Sequence, residues 1–455
     1  MSRINPTDVG MPIGCRVDKA GSAVGFEDLH VKLCRTEHTC PKCDQPMTGH
    51  GSFTKHMAHA VGHAPCKLEV TIPRSRCKKC GTTVSEEVIF ASAAGPNITE
   101  ALERRIIELL GQRTIVKEAA AMCDVPYDIV RLVIDNVHVN KPKLPRILLM
   151  DEICAYSYRE ADTGKQIAVY WTCAYDGEDG KLIDVIDGHD SLALDEWYGQ
   201  FSMLERKGVK AFCSDMFDAF PNAAAKWLPY AVRAVDRFHV AKDAVVHMDK
   251  ARCRIQKGAG NGVAIKRRAH KLAVNRGKRN REHAGEKWVE QEKAVTCEVL
   301  CICDEKHSQL RQAFLVLQLY YIWQDENWDG RREECDQALC NWIMKASGIP
   351  VPEIVAFAKT VQNYRQLLVT GTVEHINSAR AESTNDKIKE LKKRGRGFGG
   401  YTETRKRLLI AFGKPDAIEL PTARAKQLEE IAVKKAEAQA KAAERRRRNR
   451  KKRRR

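Results

Sequence analysis

No run of this 455-residue sequence approaches the ~18 consecutive apolar residues of a membrane-spanning helix, so no membrane partner is expected. The opening residues, Met1-Ser-Arg-Ile-Asn-Pro-Thr-Asp8, lack the apolar stretch of a secretory signal, and a soluble intracellular protein is the expectation. Acidic side chains are in short supply: 59 Asp and Glu face 77 Lys and Arg, a formal net charge of +18. An excess of that size points to a polyanionic partner, with DNA the natural one.

The positive charge is unevenly placed. From Arg424 to Arg455, fifteen Lys and Arg stand against four Glu, a net +11 that leaves +7 for the rest. The closing block Arg445–Arg455 repels itself and is expected to stay disordered until a polyanion neutralises it. It reads either as a salt-sensitive, sequence-independent DNA tether or as a plain solvated tail.

The 17 cysteines are an odd number, and in an intracellular chain their spacing points to metal rather than to a disulfide framework. Cys40-Pro-Lys-Cys43 and Cys77-Lys-Lys-Cys80, the latter followed by Gly81, each fit a tight turn that presents two thiolates. Two such knuckles complete a tetrahedral structural zinc site. The loop between them exceeds the usual ~15–20 residues. It carries the alternating run Cys66-Lys-Leu-Glu-Val-Thr-Ile72, which suits the hairpin of a ribbon. His50, His56, His59 and His63 are expected on the surface or toward DNA, with a ligand role only if a cysteine is displaced. Cys297, Cys301 and Cys303 are expected as buried thiols rather than as a second metal site.

Helical spacing begins at Ile98. Thr99 is placed to cap a helix over Glu100–Leu110, followed by Ile115–Met122, a Cys123-Asp-Val turn, and a helix opened by Pro126 at its first position. Two short helices around such a turn make a helix-turn-helix, which aims Tyr127, Asp128 and Arg131 at the major groove. Lys141-Pro-Lys-Leu-Pro145 reads as a linker. Strand-like runs then appear at Arg146–Met150, Gln166–Cys173 and Leu182–Ile186. A helix over Leu194–Lys207 follows, then a strand at Val209–Ser214, a helix around Asn222–Leu228 and a strand at Ala231–Val235. Three strands, a helix, then strand and helix alternating is the order of a ribonuclease-H-like α/β core. Strand signals fade from His239 to Ser378. Lys242–Gln256 and Gln309–Trp323 read as helices around a break at Lys257–Gly262 and a cationic stretch at Lys266–Lys278. An all-helical insertion is the expectation there.

Three acidic residues carry the chemistry. Asp151 and Asp215 each follow an apolar run, and Glu382 lies on a helical segment with Asn385, Asp386 and Lys389 at three- and four-residue intervals. Two strand-borne aspartates and a helix-borne glutamate that meet can hold a pair of divalent cations for in-line attack on a phosphodiester. Lys387, Lys389, Lys392 and Lys393 are positioned to reach phosphates nearby.

The order of blocks resembles the insertion-sequence transposases of the ISL-three family. The blocks are Cys-Pro-x-Cys, Cys-x-x-Cys-Gly, the helix-turn-helix, Asp151-Glu152, Val235-Asp-Arg-Phe-His-Val240 and Glu382-Ser-Thr-Asn-Asp-Lys-Ile-Lys389. The resemblance implies a DDE transposase with a ribonuclease-H-like core. Such an enzyme uses two magnesium or manganese ions to cleave at terminal inverted repeats of double-stranded DNA and to join the ends to target DNA, acting as a homodimer or larger assembly at the bacterial nucleoid. Asp151, Asp215 and Glu382 match its three acidic positions. Asp236 is the rival for the middle one and otherwise a supporting acid, and His239 is set either to orient a phosphate or to play a structural part. On this reading the chain divides into a zinc ribbon (1–90), a helix-turn-helix (91–142), the first part of the core (143–250), a helical insertion (251–375), the last core helices (376–415) and a basic tail (416–455). The glycine-rich Lys393–Tyr401 and the basic tail depart from the family pattern. Two alternatives stay open: a DNA-binding regulator with an inactive core, and a nuclease or resolvase that only hydrolyses.

Overall fold

The computed structural model describes residues 3–4, 16–20, 28–259, 308–395 and 398–421. The cationic stretch, Cys297, Cys301, Cys303 and the tail from 422 onward lie outside them. Mixed α/β structure divides into two units, Met1–Pro142 with Lys387–Arg455, and Lys143–Asp386. Among the described residues no helix is long and apolar enough to cross a membrane.

The first unit opens with strands β1 (Arg3–Ile4), β2 (Arg16–Ala20), β3 (Asp28–Lys32), β4 (Met47–Val61), β5 (Ala64–Cys77) and β6 (Thr83–Ser85). They form one sheet in the order β1-β2-β3-β5-β4, with β6 pairing the end of β5 on the edge opposite β4. The long β4–β5 hairpin alternates as its sequence does. Leu68, Val70 and Ile72 join Leu29, Val31 and Met57 in one core, while Lys67 stays exposed and Glu69 half-exposed on the other face.

Register also decides the fate of the histidines. His50, His56 and His63 are exposed, as expected. His59 is not: it shares the inward face with Met57, is buried, and its Nδ1 lies 2.8 Å from Thr99 Oγ1. There the chain crosses β4, with Ala58 N–H donating to Asn97 O and Thr99 N–H to Ala58 O.

Three helices follow, α1 (Glu100–Gly111), α2 (Val116–Met122) and α3 (Tyr127–Asn136). Thr99 caps α1 by accepting from Leu102 N–H. Pro126 stands at the N-cap of α3, one position earlier than the sequence suggests. The turn between α2 and α3 places Asp124 at φ +49°, a conformation aspartate tolerates better than most residues. Ile106, Leu109, Ala119, Val130 and Ile134 form the core of the three helices. A polar knot ties α3 to α1, with Ser92 Oγ and Asn136 Nδ2 donating to the two oxygens of buried Glu103 at 2.8 and 2.7 Å. β7 (His138–Val139) then leads toward the second unit.

Strands β8 (Ile147–Arg159), β9 (Gln166–Asp176), β10 (Leu182–Ile186), β11 (Ala211–Ser214) and β12 (Val232–Val235) form the second sheet, in the order β10-β9-β8-β11-β12. Antiparallel pairing on both sides of β9, and parallel pairing of β8, β11 and β12, make β9 the one reversed strand. The helix expected over Leu194–Lys207 is two, α4 (Ser191–Gly199) and α5 (Met203–Gly208), because Ser202 starts a new N-cap with Glu205. Helix α4 and α6 (Ala219–Trp227) cover one face of the sheet through Leu194, Trp197, Phe220 and Ala224 against Leu148, Met150 and Phe212.

From α7 (Arg237–Ala259), which runs through the expected start of a break at Lys257, the described part of the insertion is helical. It comprises α8 (Ser308–Asp325), α9 (Arg332–Ser347), α10 (Pro352–Asn363) and α11 (Arg365–Val373). Tyr320, Trp342 and Phe357 meet at its centre with ring centroids 5.0–5.6 Å apart. Helix α11 lies so close to β12 that a Cβ at Gly371 would stand 3.2 Å from Ala234 Cβ and Val235 O, so only glycine fits there without displacement.

The last described elements are α12 (Ala379–Arg394), α13 (Tyr401–Phe412) and β13 (Ile418–Glu419). The sequence reading assigns residues 376–415 to the core and 416–455 to a tail. In the structure α13 packs on α1 and α3, and β13 pairs with β7, so residues 401–419 complete the first unit while 376–386 stay with the second. Buried Arg407 fixes that return by donating to Thr114 O at 3.3 Å.

Candidate active site and cysteine centre

Strand register decides where the acids stand. Met150 of β8 pairs with Ser214 of β11, and Ser214 with Val235 of β12. The next residue on each strand is an aspartate, namely Asp151, Asp215 and Asp236. Parallel neighbours lie about 4.8 Å apart and in-register residues share a face, so the three form a row. Asp215 and Asp236 immediately follow their strands, whereas β8 continues past Asp151 to Arg159.

Helix α12 is clamped against this row. Buried Asn385 donates through Nδ2 to Asp151 Oδ2 at 2.6 Å, and its Oδ1 accepts from the Tyr175 hydroxyl. Thr384 Oγ1 donates to Gly180 O at 2.8 Å, and Arg380 to Gly177 O at 2.9 Å. Gly180 has φ +73° and sits against Arg380, so this β9–β10 turn requires glycine. Ser378, just ahead of the helix, donates its hydroxyl to Asp236. Glu382 is thereby brought half-buried beside the row, where His239, Asp236 and Lys242 act on its charge.

The four carboxyls are not equivalent. Burial pushes the Asp151 carboxyl up and Asp215 adds to the rise, against His239, the Glu152 N–H and Asn385. Burial likewise raises Asp215, helped by the charges of Glu152 and Asp236, and raises Glu382. Burial would raise Asp236 as well, but His239 at 3.3 Å, Ser378 and the Phe238 N–H at 3.2 Å outweigh it and hold the group below its ordinary value. His239 answers in kind. Burial opposes its charge, yet Asp236 and the fields of Asp151 and Asp215 favour the imidazolium. Asp236 is therefore a satisfied pin, whereas Asp151, Asp215 and Glu382 carry crowded negative charge that a cation relieves. The carboxylate of Glu382 makes no hydrogen bond among the described residues.

The cysteines close more tightly. Sγ atoms of Cys40, Cys43, Cys77 and Cys80 all lie within 4.8 Å of one another, and three pairs stand 3.4–3.5 Å apart. Sulfurs about 2.3 Å from a central zinc would be roughly 3.8 Å apart, so the donor set fits a tetrahedral ion. The two knuckles repeat one backbone pattern. Asp44 N–H donates to Cys40 O and Gly81 N–H to Cys77 O, both at 2.9 Å, and Asp44 and Gly81 both have positive φ. Hydrogen bonds from Thr82 hold the Cys80 thiol down at about 6, while desolvation and the neighbouring sulfurs push Cys43 up to about 12. Among the described residues no set of three carboxylates or imidazoles closes to the same 4.8 Å. The acidic row is a looser neighbourhood. A cavity of about 850 Å³ in the first unit, lined by His30, His56, Glu69 and Cys123, contains none of the row.

Residues 149–408, more than half of the chain, match the family model of the ISL3 (ISL-three) DDE transposases, described as transposase. The chain belongs to the ISL3 family of insertion-sequence transposases. Relatives include the transposase for insertion sequence element IS1557 of Mycobacterium tuberculosis, in strains CDC 1551 / Oshkosh and ATCC 25618 / H37Rv, each 23% identical over 242 residues. The alignment takes in 50% of this chain and 53% of either relative, so the chain spans about half the length of the curated relatives it matches.

Within the span shared with the ISL3 family, the structure brings Asp151, Asp215, Asp236, His239, Glu382 and Asn385 into one neighbourhood. The single helical face read from the sequence splits: Asn385 is buried, Glu382 half-buried, Asp386 and Lys389 exposed. Lys387 and Lys393 are exposed and Lys392 is half-exposed farther along α12. Outside the matched span, Tyr127 and Asp128 are exposed on α3, while Arg131 is ion-paired with Glu403 of α13 at 2.9 Å. Sequence reasoning misses Ser378, Tyr175, Lys242 and the Glu152–His189 pair at 3.1 Å. Only the Asp151-Glu152 doublet offered a signal for any of them.

Two outcomes follow. The raised carboxyls of Asp151, Asp215 and Glu382 favour folding while protonated, so their contribution is lost as pH rises through the raised values. Asp236 contributes above the unfolded range and loses its contribution as pH falls. In EDTA at neutral pH, Asp215→Asn therefore raises the melting temperature. Asp236→Asn destabilises by about 1–3 kcal/mol, the scale of disrupting a buried hydrogen-bonded group. The opposite order in a thermal melt would contradict this assignment. Metal analysis should find one zinc per chain, and Cys43→Ser should lose it; full zinc content in that variant would remove the cysteines as ligands.

Proposed function

We propose that the chain is an active DDE transposase that cleaves DNA at the terminal inverted repeats of its element and transfers the ends to target DNA. Its second unit is read as a ribonuclease-H-like core, supported by the sheet order β10-β9-β8-β11-β12 with β9 reversed. The observation that carries the reading is the parallel register that sets Asp151 beside Asp215, with Asn385 locking the Glu382 helix onto Asp151.

Asp151 with Asp215, and Asp151 with Glu382, are the pairs suited to two magnesium or manganese ions, which when bound supply the Lewis acidity for in-line attack by water or a 3′-hydroxyl. Asn385 fixes the orientation of the Asp151 carboxylate. Asp236 holds His239 charged and anchors the start of α12 through Ser378, a positioning role. Lys387, Lys389, Lys392 and Lys393 serve phosphate contacts.

The cysteine centre, read as a zinc ribbon, and the α2–α3 pair, read as a helix-turn-helix, recognise the element ends. Tyr127 and Asp128 stand at the groove. The Glu403 ion pair reduces the charge that Arg131 brings there. Two ends require at least two copies, so a homodimer or larger assembly acts on DNA in the cytoplasm.

With its own element ends and magnesium, the protein should cut at the ends and join them to a second duplex. Asp151→Asn should lose cleavage by about a thousandfold or more, the scale of removing an essential group, and still bind the ends. Cutting by that variant would misplace the site, and cutting without joining by the wild type would make the protein a nuclease.

A further inference from the structure

A stack of rings stands beside the acidic row and has no part in the chemistry assigned to it. His189, on the loop ahead of α4, lies on Phe217 with centroids 4.8 Å apart and planes 8° from parallel. Tyr170 of β9 lies 5.5 Å from His189, and buried Phe220 meets Phe217 edge-on at 5.5 Å. Both central rings are bolted to the row. The Phe217 N–H donates to Asp215 Oδ1 at 3.0 Å, and His189 Nδ1 pairs at 3.1 Å with Glu152, the neighbour of Asp151. The backbone fixes the loop as well: Gly188, at φ +106°, accepts at its carbonyl from both the N–H and the hydroxyl of Thr172.

For all this support, Phe217 remains 37% exposed. Core packing accounts for Phe220 but not for an apolar ring stacked on His189 and left partly open to water next to Asp215. The substrate assigned to the row has flat apolar surfaces of its own. In an intact duplex both faces of each base are stacked, so a protein ring reaches a base face only where the stack is opened, by a wedge between steps or by a base leaving the helix.

We propose that Phe217, backed by His189, is a stacking platform for one unpaired nucleobase flanking the scissile phosphodiester. The inference rests on the acidic row being the cleavage site. Phe217 is a positioning residue: stacking holds the flanking nucleotide out of the duplex so that its phosphate stays at Asp151 and Asp215. Every base has a π face, so the platform tolerates sequence and needs no base-edge contacts.

The test uses the full chain, magnesium and duplex element ends. Phe217→Ala should cut intact duplex ends about 10- to 100-fold more slowly, the scale of one base–aromatic stack. It should recover on ends carrying a mismatch at the flanking base, where unpairing is already done, and Phe217→Trp should keep near-normal rates. In an Asp151→Asn background, 2-aminopurine at the flanking position should brighten or quench on binding. Adding Phe217→Ala should abolish that change and adding Phe217→Trp should preserve it. Wild-type cleavage by Phe217→Ala, or a defect equally large on paired and mismatched ends, overturns the platform. Undiminished cleavage by Asp151→Asn alone sinks the acidic-row reading instead, so the two failures are told apart.

Discussion

One hydrogen bond, from Asn385 Nδ2 to Asp151 Oδ2, joins residues 234 positions apart and sets the geometry of the candidate site. It connects the strand that begins the second sheet to the helix that ends the unit, across the whole helical insertion. Without that contact, Glu382 is an acid on a lysine-rich helix and Asp151 an acid within a strand. With it, and with Thr384 and Arg380 gripping the β9–β10 turn, the helix has one seating on the sheet. The bond lies among buried groups, where an unmade partner is costly. The same side chain therefore serves folding and site assembly together.

The acidic row is a place where burial works against charge. Three carboxyls are raised by burial and mutual repulsion, which makes the neighbourhood a cost to the folded chain at neutral pH. The fourth, Asp236, is stabilised as a carboxylate by local donors and pins His239 and Ser378. That division explains how three aspartates on adjacent strands and Glu382 of α12 share one neighbourhood. Sites that bind cations are commonly less stable without them than their surroundings, since stability is given up there for function. The cysteine centre shows a related division, its surroundings lowering Cys80 and raising Cys43 from the ordinary thiol value.

Much of this was legible in the chain because local patterns are written locally. Apolar runs announced β8 and β11 and hence Asp151 and Asp215; paired Cys-x-x-Cys announced the knuckles; Thr99 and the turn at Asp124 announced α1 to α3. What escaped was whatever depended on partners distant in sequence. His59 looked like its neighbours His56 and His63, but the two-residue period of β4 turned it inward onto Thr99. The aspartate row needed the relative register of three strands, which no single strand encodes. Helix α13 carries no mark that it returns to α1 and α3, and Ser378 gained its role only from Asp236.

The central claim is that Asp151, Asp215 and Glu382 together hold divalent cations. Titrating manganese into the protein and counting the free ion by electron paramagnetic resonance tests it most directly. Asp151→Asn, Asp215→Asn and Glu382→Gln should each weaken binding by about a hundredfold or more, above the ~10–100-fold scale of changing an outer-shell partner. Asp243→Asn, an acid already paired with His247 on α7, should bind as the wild type does. Wild-type manganese binding by any one of the first three variants would contradict the account.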